Sequence, residues 1–176
     1  MIGTNLLVGK RVSLRAMEPE DLEVLYTLEN DTKLWEISSV NVPYSRNLLK
    51  QFITKGSHDI YTDGQLRLMV ESIEDGMVIG MADLANFNPR HRRVEIGIVL
   101  SEDYRHMGMG SEVLQLLEGY VRDFLHLHQI YAYVAVRNEA SMKLFQKSGY
   151  QDFCTLKDWL NTSEGFVDTK IFQKIF

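Results

Sequence analysis

Alternating patterns and continuous runs of apolar residues predict seven strands along this chain. Residues 10–16 alternate, with Val12 and Leu14 on one face, which is typical of a half-buried strand. Residues 130–136 are apolar throughout, which favours a strand buried on both faces. The other predicted strands cover residues 65–71, 77–85, 93–100, 150–159 and 166–176.

Apolar residues at helical spacing predict four helices between these strands. The predicted helices cover residues 17–29, a short segment at 45–55, the stretch from Gly110 to Phe124, and residues 138–147. Gly149 is expected to end the last of them. The order of the elements predicts a mixed sheet with helices on its faces. Residues 30–64 form the least regular part of the pattern.

Composition narrows the class of protein. The 176 residues are 45% hydrophobic and 24% charged, which predicts one domain spanning residues 1–176 with a full core. The net charge of -5 argues against nucleic acid as a partner. No apolar run approaches the roughly 20 residues that a membrane span needs, so no membrane association is expected. One cysteine, Cys154, fits a reducing compartment and hence a cytoplasmic protein.

The strand 93–100 leads into a polar turn that has the outline of an anion site. Gly108 and Gly110 stand where the next helix begins. Glycines let a ligand approach the backbone closely, and the first N–H groups of a helix have no acceptor inside it. The turn is therefore expected to hold the pyrophosphate of a nucleotide-bearing cofactor. Val113 excludes the third glycine of a Rossmann fingerprint, and Ser111-Glu112 excludes a P-loop. On this fragment alone, a tight turn without a ligand is an equal alternative.

Further motifs follow the turn at set distances. The segment Arg105-x-x-Gly108-x-Gly110 precedes Asn138-x-x-Ser141 and then Phe145-x-Lys147-x-Gly149-Tyr150. Together they resemble the GNAT acetyltransferase superfamily. Residues 9–15 and 130–136 are similar to the branch that acetylates ribosomal proteins and polyamines, and the second segment is closest to spermidine-type members. The resemblance implies an α/β fold: a mixed, mostly antiparallel seven-stranded sheet with helices on both faces, splayed between strands 4 and 5.

The resemblance also implies an acetyl-CoA site and no metal. Pantetheine would pair with the backbone of Ile98 and Leu100, as an added strand would. The pyrophosphate would lie on N–H groups from residues 105–111, and Asn138 would bind the pantetheine arm. The alternative role of Asn138 is a helix N-cap, and both roles are compatible. The implied cofactor-binding set is Ile98, Leu100, Arg105, His106, Met107, Gly108, Met109, Gly110, Ser111 and Asn138.

The implied reaction is direct attack of an amine on the thioester. A primary amine has a pKa of about 10.4, so forming its free base near pH 7.4 costs roughly 4 kcal/mol. A base is therefore useful. Glu95 is the candidate because it is the carboxylate on the strand that would also bind the thioester arm. Its alternative role is a structural ion pair with Arg92 or Arg93.

The departing thiolate would also gain from a proton donor. Many members of the superfamily use a tyrosine four residues before the glycine–aromatic pair, and here Phe145 stands at that position. Ser141 is the expected substitute because some ribosomal-protein-type members carry a serine at this place. Its alternative is an ordinary first-turn helix serine. Tyr131 and Tyr133 flank the expected cleft and are further candidates.

The acceptor is expected to lie over residues 30–64. The predicted contacts for a cationic amine are Trp35, Glu36 and Tyr44. The alternative is that the aromatic residues belong to the core and that the acid is an ordinary surface residue. A polyamine-like small amine is the first choice of substrate, and a protein N-terminus is the second. A non-catalytic acyl-CoA-binding module is the alternative class of function. Members of the superfamily are often dimers, so the resemblance implies a homo-oligomer, with residues 166–176 at an interface.

Overall fold

The computed structural model describes residues 6–35 and 42–176, and its strands form one mixed seven-stranded sheet. Strand order in the sheet is β1-β2-β3-β4-β5-β7-β6. The strands from β1 to β4 pair antiparallel in sequence order, β4 pairs parallel with β5, and β6 pairs antiparallel with β7. The predicted mixed sheet is confirmed. The strands are β1 Val12–Arg15, β2 Leu66–Ser72, β3 Val78–Asn88, β4 Arg93–Leu100, β5 Gln129–Ala135, β6 Gln151–Thr162 and β7 Gly165–Ile175.

Six α-helices lie among the described residues. They are α1 Leu22–Glu29, α2 Thr32–Trp35, α3 Arg46–Lys55, α4 Ile60–Asp63, α5 Met109–Gly119 and α6 Glu139–Lys147. Short 3₁₀ turns at Pro19–Asp21 and Glu102–Tyr104 precede α1 and α5, and a π turn at Tyr120–Phe124 continues α5. The single-turn helices α2 and α4 were not predicted because four residues are too few to show a helical period.

The described chain divides into two units. The first contains residues 6–17, 57–131 and 174–176, and in it α5 packs against β1 and β4. The buried face of α5 is aliphatic: Val113, Leu114 and Leu117 are fully buried, as Val12 and Val94 are in the strands. Each such side chain contributes about 1.5–3 kcal/mol through burial. The packing therefore fixes α5 against β1 and β4 in the unit that carries the predicted anion turn.

The second unit contains residues 18–35, 42–56 and 132–173. Its helices α1 and α3 pack together, and Phe145, Tyr150 and Phe172 form a buried aromatic cluster. β6 is exposed along most of its length, with Phe153 70% and Trp159 56% exposed. This strand therefore leaves large apolar side chains in solvent.

β5 differs from its predicted burial. Ile130, Ala132 and Val134 are buried, but Tyr131 is half-buried and Tyr133 is 42% exposed. The expectation of a strand buried on both faces was wrong because tyrosine, counted as apolar in the pattern, keeps a polar hydroxyl that is compatible with a solvent-facing position. Among the described residues, no helix is long and apolar enough to cross a membrane.

Candidate active site

The backbone of β4 turns alternate residues toward its two edges. Ser101 follows β4 directly, and its N–H donates to the carbonyl oxygen of Ile79 in β3 at 2.8 Å. The pairing of β3 with β4 continues in the same register from there toward the start of β4. In an antiparallel ladder every second residue directs both its N–H and its C=O to the partner strand. Val99 therefore faces β3, whereas Ile98 and Leu100 direct their backbone groups to the opposite edge. This is the edge on which the two predicted pantetheine contacts would be needed.

The parallel ladder on that opposite edge is short. It pairs Arg93 with Gln129 and ends where Glu95 pairs with Tyr131. Beyond Glu95, the described ladder between β4 and β5 has no further pairs. The backbone groups of Ile98 are therefore not used by this ladder.

Arg105 fixes the end of β4 to the turn that follows it. Its Nε donates to the Leu100 carbonyl oxygen at 2.8 Å, and its backbone N–H donates to the Glu102 carbonyl oxygen at 3.1 Å. The Leu100 carbonyl oxygen and the Arg105 N–H are two of the groups predicted to contact the cofactor, and each already has a partner within the chain. The N–H of Leu100 remains on the edge opposite β3.

Residues 105–111, the glycine turn, lead directly into α5. The helix begins at Met109, earlier than predicted, with Gly108 as its N-cap at φ 79°. His106 also has a left-handed backbone, at φ 62°, so the chain turns sharply twice. The N–H groups of Met109, Gly110 and Ser111 are the first three of α5 and have no acceptor within the helix. Together with the helix dipole they form an arrangement suited to an anion.

Two residues that the sequence reasoning did not select border this turn. Arg11 Nη1 donates to the Met107 carbonyl oxygen at 2.7 Å, and Arg11 Nε donates to Glu112 Oε2 at 3.0 Å. Glu112 Oε1 also accepts from the N–H groups of Arg11, at 2.8 Å, and Lys10. Partial burial opposes ionisation of Glu112, but the hydrogen bonds from Arg11 and Lys10 outweigh it and lower the pKa of this carboxyl. Glu112 is therefore an ionised anchor at neutral pH.

Glu95 is half-buried on β4 and is held by an amide. Asn86 Nδ2 donates to Glu95 Oε2 at 2.7 Å, from a position in β3 with φ 50° beside a β-bulge. The alternative ion pair with a neighbouring arginine is not what the structure shows. The guanidinium of Arg92 instead donates to the His126 carbonyl oxygen at 2.8 and 2.6 Å. Glu95 is therefore a carboxylate without an arginine at its oxygens in the described part of the chain.

The first turn of α6 carries the next two predicted residues. Asn138 Oδ1 accepts from the N–H of Ser141 at 3.1 Å, so the N-cap role of Asn138 is confirmed. Capping uses the oxygen of the side-chain amide, and the NH₂ group can still donate elsewhere. Ser141 is the third residue of the helix and is half-buried.

Phe145 lies in the aromatic cluster of the second unit. Its ring is 4% exposed and meets Tyr150 edge-on at 5.0 Å between centroids and Phe172 stacked at 5.8 Å. Tyr150 is also 4% exposed and is therefore a core residue as well. A phenyl ring has no proton to give, so Phe145 contributes packing rather than acid catalysis.

The predicted acceptor residues have structural contacts. Trp35 Nε1 donates to the Glu29 carbonyl oxygen at 2.6 Å. The backbone of Tyr44 exchanges hydrogen bonds with the side chain of Asn30, at 2.9 and 3.1 Å. Glu36 lies outside the described residues. No group of three or more potential metal ligands occurs in ranges 6–35 and 42–176.

The structure thus brings together one part of the predicted site within the first unit: Glu95, Ile98, Leu100 and the glycine turn. Asn138, Ser141, Trp35 and Tyr44 belong to the second unit. Residues 11–151 match the family model described as an acetyltransferase (GNAT) domain.

Two curated relatives are similar to most of the chain. The spermidine N(1)-acetyltransferase of Vibrio cholerae serotype O1 is 26% identical over 143 residues, which cover 81% of this chain and 80% of that protein. The spermidine N(1)-acetyltransferase of Escherichia coli K12 is 29% identical over 140 residues, which cover 79% of this chain and 72% of that protein.

Solved structures of the Vibrio cholerae spermidine N-acetyltransferase have the same fold. The complex with CoA and spermine has a TM-score of 0.83 at 24% identity, and covers 95% of this chain and 96% of that chain. A dodecameric structure in an intermediate state has a TM-score of 0.80 at 25% identity, with 95% of each chain covered. The likeness extends over both units of the chain.

Proposed function

Since the chain belongs to the GNAT family and is an acetyl-CoA-dependent N-acetyltransferase, we propose that it acetylates a small, polyamine-like primary amine. We further propose that acetyl-CoA binds along the free edge of β4 and at the glycine turn. The observation that carries this placement is the junction of β4 and α5. There, backbone groups of Ile98 face an edge outside the β5 ladder, and three N–H groups without an acceptor inside their helix follow a few residues later.

The cofactor contacts follow from the chemistry of these backbone groups. Pantetheine carries amides that can exchange hydrogen bonds with a strand edge, as in β-augmentation. Ile98 supplies a donor and an acceptor, and Leu100 supplies a donor because its carbonyl accepts from Arg105. The N–H groups of Met109, Gly110 and Ser111 would hold the pyrophosphate. Asn138 would add a bond from its NH₂ group while its oxygen caps α6.

Glu95 is proposed as the base that takes a proton from the attacking amine. Oε2 already accepts from Asn86, so we assign the proton-accepting role to Oε1. Ser141 is proposed to donate to the departing thiolate. The thiolate resembles that of cysteine, with a pKa of about 8.5, so its protonation is less demanding than deprotonation of the amine. The thiolate can therefore leave without being protonated by the protein: a hydrogen bond from the Ser141 hydroxyl would stabilise it, the proton would come later from solvent, and Phe145 is not required as an acid.

The choice of a polyamine-like acceptor is supported by charge and by the relatives. Both curated relatives are spermidine N(1)-acetyltransferases, and this chain carries a net charge of -5. A negatively charged protein attracts polycations and raises their rate of encounter. We propose the ring faces of Trp35 and Tyr44 as contacts for the ammonium groups, together with Glu36. A protein N-terminal amine is the second candidate acceptor.

We also propose a homo-oligomer. Phe153, Trp159 and Phe166 are exposed on the β6–β7 hairpin, and β6 is the last strand of the sheet order, so both its apolar side chains and its outer edge are available for association. The relative from Vibrio cholerae forms a dodecamer. Sedimentation velocity of the purified chain tests this proposal, and a purely monomeric species at micromolar concentration would reject it.

We propose a cytoplasmic location as well, because the exposed thiol of Cys154 suits a reducing compartment.

Thiol release tests the proposed reaction. The purified protein is mixed with acetyl-CoA and one amine at a time: spermidine, spermine, a peptide with a free N-terminus, or the same peptide with a blocked one. Release of free CoA that depends on spermidine or spermine supports a polyamine-like acceptor, and release with only the free peptide supports the second candidate. Tight acetyl-CoA binding without turnover on any of these amines would reject both candidate acceptors.

A further inference from the structure

The side chain of Arg11 connects two points on either side of the start of α5. One nitrogen, Nη1, donates to the carbonyl oxygen of Met107 within the glycine turn, and Nε donates to Glu112 in the first turn of the helix. The Glu112 carboxylate is fixed in turn by the N–H groups of Lys10 and Arg11. A guanidinium can make both bonds at once because its donors lie in a rigid plane.

The bond to Met107 determines the direction of the next N–H group. The described peptide bonds are all trans, and in a planar trans peptide the C=O and N–H point in opposite directions. Because the Met107 carbonyl points toward Arg11, the N–H of Gly108 points away from it. Rotation of this peptide would instead place a carbonyl dipole where the anion is expected, and that dipole would repel phosphate.

We propose that Arg11 and Glu112 are positioning residues for the glycine turn, holding the Met107–Gly108 peptide so that backbone N–H groups, and not a carbonyl, meet the pyrophosphate of acetyl-CoA. This inference rests on the proposed acetyl-CoA site. It gives Arg11 an indirect role: its charge is matched by Glu112, and it acts by orienting backbone dipoles.

Two glycines provide the space for this contact. A Cβ at Gly9 would lie 2.3 Å from Glu112 Oε1 and 3.1 Å from the Val12 carbonyl oxygen. A Cβ at Gly108 would lie 3.3 Å from Arg11 Nη2, and Gly108 has φ 79°, which side chains rarely adopt. Both glycines lie beside the Arg11–Glu112 ion pair, so a side chain at either position would crowd it.

Pantetheine donors distinguish positioning of the turn from a general loss of structure. Acetyl-CoA carries the pyrophosphate, whereas acetylpantetheine does not. For Arg11→Met we expect CoA, measured by titration calorimetry, to bind about tenfold to a hundredfold more weakly, as for the loss of a hydrogen bond to a charged group. The kcat/KM for acetyl-CoA should fall by a similar factor, and the kcat/KM for acetylpantetheine should change less than about twofold.

Arg15→Met is the matched control. Arg15 is the last residue of β1, four positions after Arg11, and pairs with Glu71 of β2 at 2.6 Å. This variant should leave CoA binding unchanged. Arg11→Lys tests charge against geometry because lysine keeps the cation but lacks the planar fork. We expect Arg11→Lys to weaken CoA binding by nearly as large a factor as Arg11→Met does.

The outcomes separate this inference from the proposed function. If the wild-type protein does not bind CoA, the proposed site fails and the positioning roles fail with it. If the wild type binds CoA and Arg11→Lys binds it equally well, only the positioning roles are overturned. Equal losses with acetyl-CoA and acetylpantetheine would also overturn them. Should Arg11→Met fail to fold, Glu112→Gln and Arg11→Lys are measured with the same donors and decide the question.

Discussion

Replacement of Glu95 by glutamine is the most direct test of the proposed base. Glutamine keeps the length of the side chain and an oxygen that can accept the 2.7 Å bond from Asn86 Nδ2. Glu95 is half-buried on β4 and its neighbours are fixed by the sheet. The substitution therefore removes a proton acceptor while leaving the surrounding hydrogen bonds and packing in place.

The size of the effect follows from the proton that must be removed. An amine with a pKa of about 10.4 needs roughly 4 kcal/mol to reach its free base near pH 7.4. A positioned general base typically contributes about 10²- to 10⁴-fold to the rate. We therefore expect Glu95→Gln to lower kcat/KM for the amine by at least about a hundredfold at pH 7. The loss should shrink as the pH approaches 10, where a larger part of the amine is already unprotonated.

The assay is the pH dependence of kcat/KM between pH 6.5 and 10, followed by thiol release, with CoA binding measured in parallel. Glu71→Gln is the control because it removes a carboxylate of β2 that pairs with Arg15. We expect CoA to bind both variants as it binds the wild type. If the profiles of Glu95→Gln and wild type run parallel across this range, Glu95 is not the base.

Three further predictions concern packing, capping and acid stability. Phe145→Ala should lower the free energy of unfolding by about 3–5 kcal/mol in urea titrations, because the ring is buried, whereas Phe153→Ala, at an exposed site, should change it by less than about 0.5 kcal/mol; similar values for both would contradict the packing described. Asn138→Ala should lower the free energy of unfolding by about 1 kcal/mol because the helix cap is lost, and Asn138→Ser should restore it. If the KM for acetyl-CoA stays raised in Asn138→Ser, the pantetheine contact is supported. A normal KM in that variant would mean that Asn138 acts only as the cap. The lowered pKa of Glu112 means that its stabilising contribution is present above the unfolded-state pKa and is lost as the pH falls through the folded-state pKa. Unfolding measured from pH 6 to pH 3 should therefore show a steeper loss for the wild type than for Glu112→Gln, and equal slopes would reject the linkage.

The fold was largely predictable because the apolar periodicity that indicates each strand or helix lies within the sequence of that element. The strand at residues 93–100 was predicted with the bounds that β4 has, since its apolar run ends at polar residues on both sides. The cap at Asn138 was also predictable, because an acceptor and the N–H it binds stand three positions apart in sequence. The start of α5 was misplaced because glycine at an N-cap leaves no side-chain signal, and Gly108 rather than Gly110 has that role.

The contacts between distant segments were not predictable in the same way. Arg11 and Glu112 are 101 positions apart, and neither one carries a local pattern that would indicate the other. Asn86 is likewise placed beside Glu95 by the pairing of β3 with β4 and by a bulge between them. Arg11 and Glu112 lie beside the glycine turn, and Asn86 lies beside Glu95. Only folding brings these side chains to the predicted functional groups.

The positions of the two tryptophans have a consequence for spectroscopy. Trp35 is half-buried and bound to a backbone carbonyl, Trp159 is 56% exposed and stacked on Tyr133, and both belong to the second unit. The chain has two tryptophans in all, so its tryptophan fluorescence reports on that unit alone. A change in tryptophan emission when CoA is added would therefore not arise from the glycine turn, which lies in the first unit. It would report on the unit that carries Asn138, the proposed pantetheine contact, and Trp35, the proposed acceptor contact.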